Sequence, residues 1–89
     1  MPRRRVTTRT VTFRHPFFLK GVGTNLPAGN YQVKYEEHEI VTQGRADWHV
    51  LRCSIVIPPG IMAPGDLGGS ASIYEGDIRE AQRKDRQTP

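Results

Sequence analysis

The chain has 89 residues, 36% of them hydrophobic and 25% charged, with a formal net charge of +4 and a mean hydropathy of −0.57. That length allows one small domain, burying roughly 60–65% of its unfolded surface, and apolar runs of only a few residues exclude a membrane-spanning segment. Cys53 is the only cysteine, so no intrachain disulfide forms, and a small domain without such staples points to a reducing cytoplasm.

The charge is unevenly placed. Residues 1–20 hold Arg3, Arg4, Arg5, Arg9, Arg14 and Lys20 with no acid, whereas the remainder holds seven cations and nine acids. Residues 1–5 read as a disordered basic arm ahead of a single domain over 6–86. Met1-Pro2-Arg3-Arg4-Arg5 leads into Val6-Thr7-Thr8-Arg9 and not into an apolar run, so no secretory leader is predicted.

Val6–Arg14 is rich in Val, Thr and Phe, and Val11 and Phe13 share a face; it reads as a first strand. Pro16 interrupts it, because proline has no N–H to give to a ladder, and Phe17–Lys20 reads as its continuation after a bend. Gly21–Asn25 reads as a flexible loop. Leu26-Pro27-Ala28-Gly29 is a turn, with Pro27 fixing φ and Gly29 tolerating positive φ. Beyond it Tyr31, Val33 and Tyr35 alternate with Asn30, Gln32, Lys34 and Glu36, the period of a half-buried antiparallel strand with one wet face.

Glu36–Val41 admits two readings, a tight hairpin at Glu37–Glu39 or a long strand bent by a bulge. Thr42-Gln43-Gly44-Arg45 is a clearer turn. Asp47–Ile57 is a second strong strand, with Leu51, Cys53, Ile55 and Ile57 on one face and Trp48, Val50 and Val56 on the other. Pro58-Pro59-Gly60 ends it and opens an irregular Gly/Pro loop over 58–70, either a lid on the core or a partner surface carrying Ile61, Met62 and Leu67. Ser70–Tyr74 makes a short last strand. Asp77 and Glu80 fit a capping box, and Arg83, Lys84 and Arg86 suit a helix C-terminus, predicting a helix over about 75–86 and a frayed tail over 87–89. The expected fold is mostly β (α+β): four or five antiparallel strands in a curved sheet or partly open barrel, with one C-terminal helix.

Phe13-x-x-Pro16-Phe17-x-Leu19-x-Gly21 and Leu26-Pro27-Ala28-Gly29-x-Tyr31-x-Val33-x-x-Glu36-Glu37 resemble a family of short, uncharacterised bacterial proteins. The resemblance implies a small β-rich body and a C-terminal helix in which Ala81 and Lys84-Asp85 match the family's Arg-Asp pair. It implies no activity. The chain departs from the family's pattern at Ala46-Asp47-Trp48-His49 and in the Gly/Pro loop.

The chemistry-bearing residues are sparse. His15, His38, His49, Cys53, Glu36, Glu37 and Glu39 are the candidate metal ligands, but His49 and Cys53 lie roughly 13 Å apart on one strand and no chelating spacing occurs. Cys53, among apolar neighbours, reads as an inert buried thiol. Ser70 lacks a nucleophile elbow, and Gly60–Gly65 is followed by Asp66-Leu67 where a phosphate loop needs Lys and Ser or Thr. No cofactor, metal or catalytic site is predicted. The sequence favours a small non-enzymatic binding module with a protein partner or a second copy of itself. The alternative is nucleic-acid binding, with Arg3, Arg4, Arg5, Arg9 and Arg14 as candidate phosphate contacts.

Overall fold

The computed structural model describes residues 3–61 and 64–88. In chain order the elements are β1 (Arg4–Phe13), β2 (Phe17–Leu19), β3 (Thr24–Leu26), β4 (Gly29–Thr42), β5 (Arg45–Ile57), β6 (Gly69–Ile73) and α1 (Glu75–Gln87). Strands β1-β4-β5-β6 form one antiparallel sheet that does not close into a barrel, and β2 and β3 pair in a separate two-stranded sheet. The fold is therefore mostly β with a C-terminal helix, but among the described residues there are six strands, in two sheets.

The alternation from Gly29 onward supplies the central strand. Tyr31 and Val33 are buried, whereas Asn30, Gln32 and Lys34 are exposed. Gly29 sits at φ +152°, which few other residues adopt, and the Tyr31 hydroxyl donates to the Pro27 carbonyl at 2.7 Å, closing the turn. β4 continues through Glu37–Glu39 to Thr42, so the tight hairpin there is not formed. The reversal comes at Gln43-Gly44, with φ of 51° and 78°, and β5 returns along the whole of β4.

A bulge separates two halves of this hairpin. Glu36 pairs with Arg52 and Glu37 with Val50, so Leu51 is the extra residue, with no partner on β4. Beyond it β5 changes face. Val50 and Trp48 lie opposite Glu37 and Glu39, on the same side as Tyr35 and Cys53, while Leu51 stands 46% exposed. The expected grouping of Trp48 and Val50 with Val56, on the face opposite Cys53, is thus corrected. An unbroken period of two was assumed where the backbone inserts one residue.

One face of the sheet, the helix face, carries the core. Val11, Phe13, Tyr31, Val33, Cys53, Ile55, Ile57 and Ile73 meet Phe17, Leu19 and Leu26 from the small sheet and Ile78 and Ala81 from α1. The Phe13 and Phe17 rings stack with centroids 3.6 Å apart, and the edge of Tyr31 meets Phe17. Phe17–Leu19 therefore does not prolong β1. It turns over the core to pair with β3, whose Thr24 and Asn25 were expected in a loop. Gly21 makes this possible: a Cβ there would lie 2.2 Å from the Ser72 carbonyl oxygen.

The segment expected as a disordered arm differs as well. Arg4 and Arg5 belong to β1, and the Arg3 carbonyl accepts the Glu39 N–H at 2.8 Å; residues 1–2 lie outside the described residues. The helix begins before the expected capping box. Tyr74 is the N-cap residue and has no side-chain cap, so Asp77 falls inside the first turn. Thr88 closes the other end, its N–H and hydroxyl both donating to the Lys84 carbonyl.

Asp85 ties the helix to the sheet. Its carboxylate accepts the backbone N–H groups of Arg14 (3.1 Å) and His15 (2.9 Å) and faces the His15 Nδ1 at 3.0 Å. An ionised carboxylate only accepts, so Nδ1 carries the proton in this contact. Asp85 is 8% exposed, and the Arg14 N–H foremost, helped by His15, holds its carboxyl below the usual carboxylate range.

Two predictions follow from this packing. Val33→Asp places a carboxylate in a fully buried position and costs more than about 4 kcal/mol, enough to unfold a domain of this size; Gln32→Ala, on the exposed face, stays within about 0.5 kcal/mol. Circular dichroism and urea titration compare them. Because the folded Asp85 carboxyl titrates below its unfolded value of about 3.9, its contribution is complete above that pH and is lost as pH falls through the folded value. Urea midpoints measured from neutral pH down to strong acid show a steep acid limb in the wild type. Asp85→Asn is less stable at neutral pH and has a flatter limb.

Candidate binding surface

The helix, the small sheet and the core all lie on one side of the main sheet. Among the described residues nothing covers the opposite side, which is open. Cross-strand partners share a face, so Arg4, Val6, Thr8, Thr10 and Thr12 of β1 join Asn30, Gln32, Lys34, Glu36, His38, Ile40 and Thr42 of β4 there, with Arg45, Asp47, His49, Arg52, Ser54 and Val56 of β5. Most of these side chains are exposed. The open face thus carries Arg4, Lys34, Arg45 and Arg52 against two acids, Glu36 and Asp47, in a field of hydroxyl and amide groups. Val6 (62% exposed), Ile40 and the half-buried Val56 are its apolar side chains, and Val6 borders a shallow hollow of about 350 Å³ beside the bulge, together with Leu51, Arg4, Arg5, Glu36 and Glu37.

The arginines of the leading segment divide between the two faces. Alternation turns Arg5 and Arg9 to the helix face, in line with Arg3, and there they are engaged. Arg3 pairs with Glu39 at 2.8 Å and Arg5 with Glu37 at 3.2 Å. The Arg5 guanidinium lies 4.0 Å from the centre of the Trp48 ring, Arg3 lies 5.8 Å from it, and Arg9 lies 5.4 Å from the Tyr35 ring. Glu37 also accepts the Thr7 hydroxyl at 2.7 Å; that bond and Arg5 hold its carboxyl below the usual range. Arg14 gives its backbone N–H to Asp85. Of the five candidate phosphate contacts, Arg14, just past the end of β1, is exposed, Arg3, Arg5 and Arg9 are on the helix face, and Arg4 is on the open face. Sequence reasoning missed Lys34, Arg45 and Arg52 as its companions, although Lys34 and Arg52 fall at wet positions of regular strands.

The Gly/Pro loop divides too. Ile61 packs against the core, Leu67 stands 90% exposed, and Met62 lies outside the described residues. Asp66 shapes the loop, its carbonyl accepting the Gly60 N–H and its side chain the Gly68 N–H.

The candidate metal ligands do not converge: among the described residues no three His, Cys, Asp or Glu side chains are placed to hold one ion. His38 and His49 are cross-strand partners with ring centroids 6.3 Å apart, and Cys53 is buried on the other face. Desolvation, and secondarily the charge of Glu75, push the Cys53 thiol up to about 11, far from the thiolate needed for nucleophilic attack. A cleft of about 310 Å³ lies between the β1–β2 bend and α1, with His15, Phe17, Lys20, Asp77 and Lys84 among its lining residues. Among the described residues no helix is long and apolar enough to cross a membrane. No protein-family model, curated protein or solved structure matches the chain.

Trp48 is where the projecting end of the sheet is held. Trp48→Ala removes the platform under Arg3 and Arg5. We expect a loss of about 1–2 kcal/mol in global stability. Amide hydrogen exchange should quicken in residues 37–50 and stay unchanged around Val33 and Ile55.

Proposed function

We propose that this chain is a non-enzymatic binding module that takes a protein partner on the open face of its sheet. The observation that supports this reading is the one-sided cover. A four-stranded sheet presents a whole face to solvent, with Val6 and Ile40 exposed among charged and hydroxyl-bearing neighbours and Leu51 exposed at the bulge. Apolar contacts inside a polar surround are the composition of a protein-binding patch. The face is also firm, since each of its residues sits in a strand or at the bulge. The buried thiol of Cys53 suits work in a reducing cytoplasm.

One observation favours a second reading, nucleic-acid binding. The open face holds four cations to two acids, and its Thr, Ser, Asn and Gln side chains are groups that contact phosphates. The contact set then differs from the arginine series of the leading segment and centres on Arg4, Lys34, Arg45 and Arg52.

The experiment is affinity capture with the intact chain and with an Arg4→Glu/Lys34→Glu/Arg52→Glu variant, at low and high salt, alongside titration of a labelled single-stranded oligonucleotide. These substitutions leave the core untouched, whereas deleting residues 1–5 removes the paired Arg4 and Arg5 from β1. A protein captured by the wild type at both salts and lost in the variant supports the first reading. Oligonucleotide binding that falls with salt, by about 0.7 in log K per log unit of salt for each phosphate contact, supports the second. Capture unchanged by the variant contradicts the placement on the open face.

A further inference from the structure

β1 is an edge strand of ten residues that, among the described residues, pairs on one side only, with β4. Natural edges of that length are usually blunted by a proline, a bulge or outward charge. β1 has no proline within it, and its register with β4 runs unbroken from Arg4 to Phe13. Two of its arginines, Arg5 and Arg9, are drawn back over the helix face onto Trp48 and Tyr35. The other edge strand, β6, has only five residues.

The direction of the free polar groups follows from one bond. The Arg3 carbonyl accepts the N–H of Glu39, the residue opposite it in the same register. In an antiparallel ladder such residues alternate with residues whose N–H and C=O point the other way. Arg5, Thr7, Arg9 and Val11 therefore spend their backbone groups on β4, and Arg4, Val6, Thr8, Thr10 and Thr12 aim theirs out of the sheet.

We propose that two copies of this chain pair through their β1 edges, antiparallel about a two-fold axis at Thr8. The outward-pointing residues must meet each other, which restricts the register to even steps, and charge then selects one. A pivot at Thr7 sets Arg5 against the partner's Arg9, and a pivot at Arg9 sets that arginine against itself. Pivots at Val6 or Thr10 pair fewer residues. The pivot at Thr8 sets Arg4 beside the partner's Thr12, Arg5 beside the partner's Val11, Val6 beside the partner's Thr10 and Thr7 beside the partner's Arg9. No arginine then stands opposite an arginine, and Val–Thr and Thr–Thr pairs suit cross-strand packing. The product is a continuous sheet across both copies, with the two open faces on one side. This inference goes beyond the binding reading above and stands or fails separately from it.

The test is sedimentation velocity on the full chain over a concentration series, with Thr8→Pro as the edge-blocking variant. The Thr8 N–H is not used within the monomer, so proline there removes only the intermolecular donor. The expected result is a dimer that Thr8→Pro weakens by about tenfold or more, with an unchanged circular dichroism spectrum. As a second measurement, Thr8→Cys crosslinks to itself on mild oxidation, since the two Cα atoms of that pair stand about 5.5 Å apart, while Thr12→Cys does not. Cys53 is buried and does not compete. A chain that stays monomeric up to about 1 mM, a dimer that survives Thr8→Pro, or crosslinking at Thr12 as ready as at Thr8 overturns the proposal.

Discussion

The carboxylate of Asp85 joins the last element of the chain to the first bend. It receives two consecutive backbone N–H groups, from Arg14 and His15, across about 70 residues of sequence. Those groups sit where β1 ends and the chain turns off toward β2, so they have lost their ladder partners, and buried N–H groups left unpaired are costly. Asp85 pairs them and in doing so fixes where α1 lies. The helix itself offers little else to the core, Ile78 and Ala81 being its buried apolar residues. A short amphipathic helix with so thin a stripe depends on such a tie.

The placement of the helix decides which side of the sheet is covered. Once α1 and the small sheet are both held over Val33 and Ile55, every large buried side chain belongs to one face, and the other faces water. The bulge at Leu51 then extends the helix face past the core. It turns Trp48 and Val50 toward the side of Tyr35, where Trp48 collects Arg3 and Arg5 and the glutamates neutralise them. The outer end of the hairpin is thus held by stacking and ion pairs in place of a hydrocarbon core. The same arrangement takes Arg3, Arg5 and Arg9 to the helix face, and Arg4, Lys34, Arg45 and Arg52 set the character of the open one.

What could be read from the sequence was local. The alternation after Gly29, the turn at Gln43-Gly44, the apolar face of Cys53, Ile55 and Ile57, and the helix after residue 74 each depend on a few neighbouring residues. A long strand bent by a bulge was one of the two readings of Glu36–Val41, and the register shift at Glu36/Glu37 bears it out. That the extra residue lies on β5 was not legible, because Val50-Leu51 carries no glycine or other break and reads as continued alternation. Nor was the pairing of β2 with β3, since Gly21–Asn25 has the composition of a loop and its partner lies across the turn. The partition of the arginines needed the β1–β4–β5 register, which brings Trp48 beneath Arg5. Of the candidate residues, Arg4 lies on the open face and Leu67 is 90% exposed. Ile61, Arg3, Arg5 and Arg9 were assigned outward roles that packing and pairing take from them. Asp85 appeared only as half of a Lys84-Asp85 match, because the groups it binds are backbone N–H, which no side-chain pattern announces.

The whole arrangement rests on the Asp85 clamp, and its amide partners can be watched directly. In a proton–nitrogen NMR titration into acid, the Arg14 and His15 amide resonances should lie far downfield at neutral pH, resist exchange, and move together through a single transition below the ordinary carboxylate value of about 3.9. Amides of Arg14 and His15 that exchange as fast as those of an open loop, and show no such transition, would contradict the account.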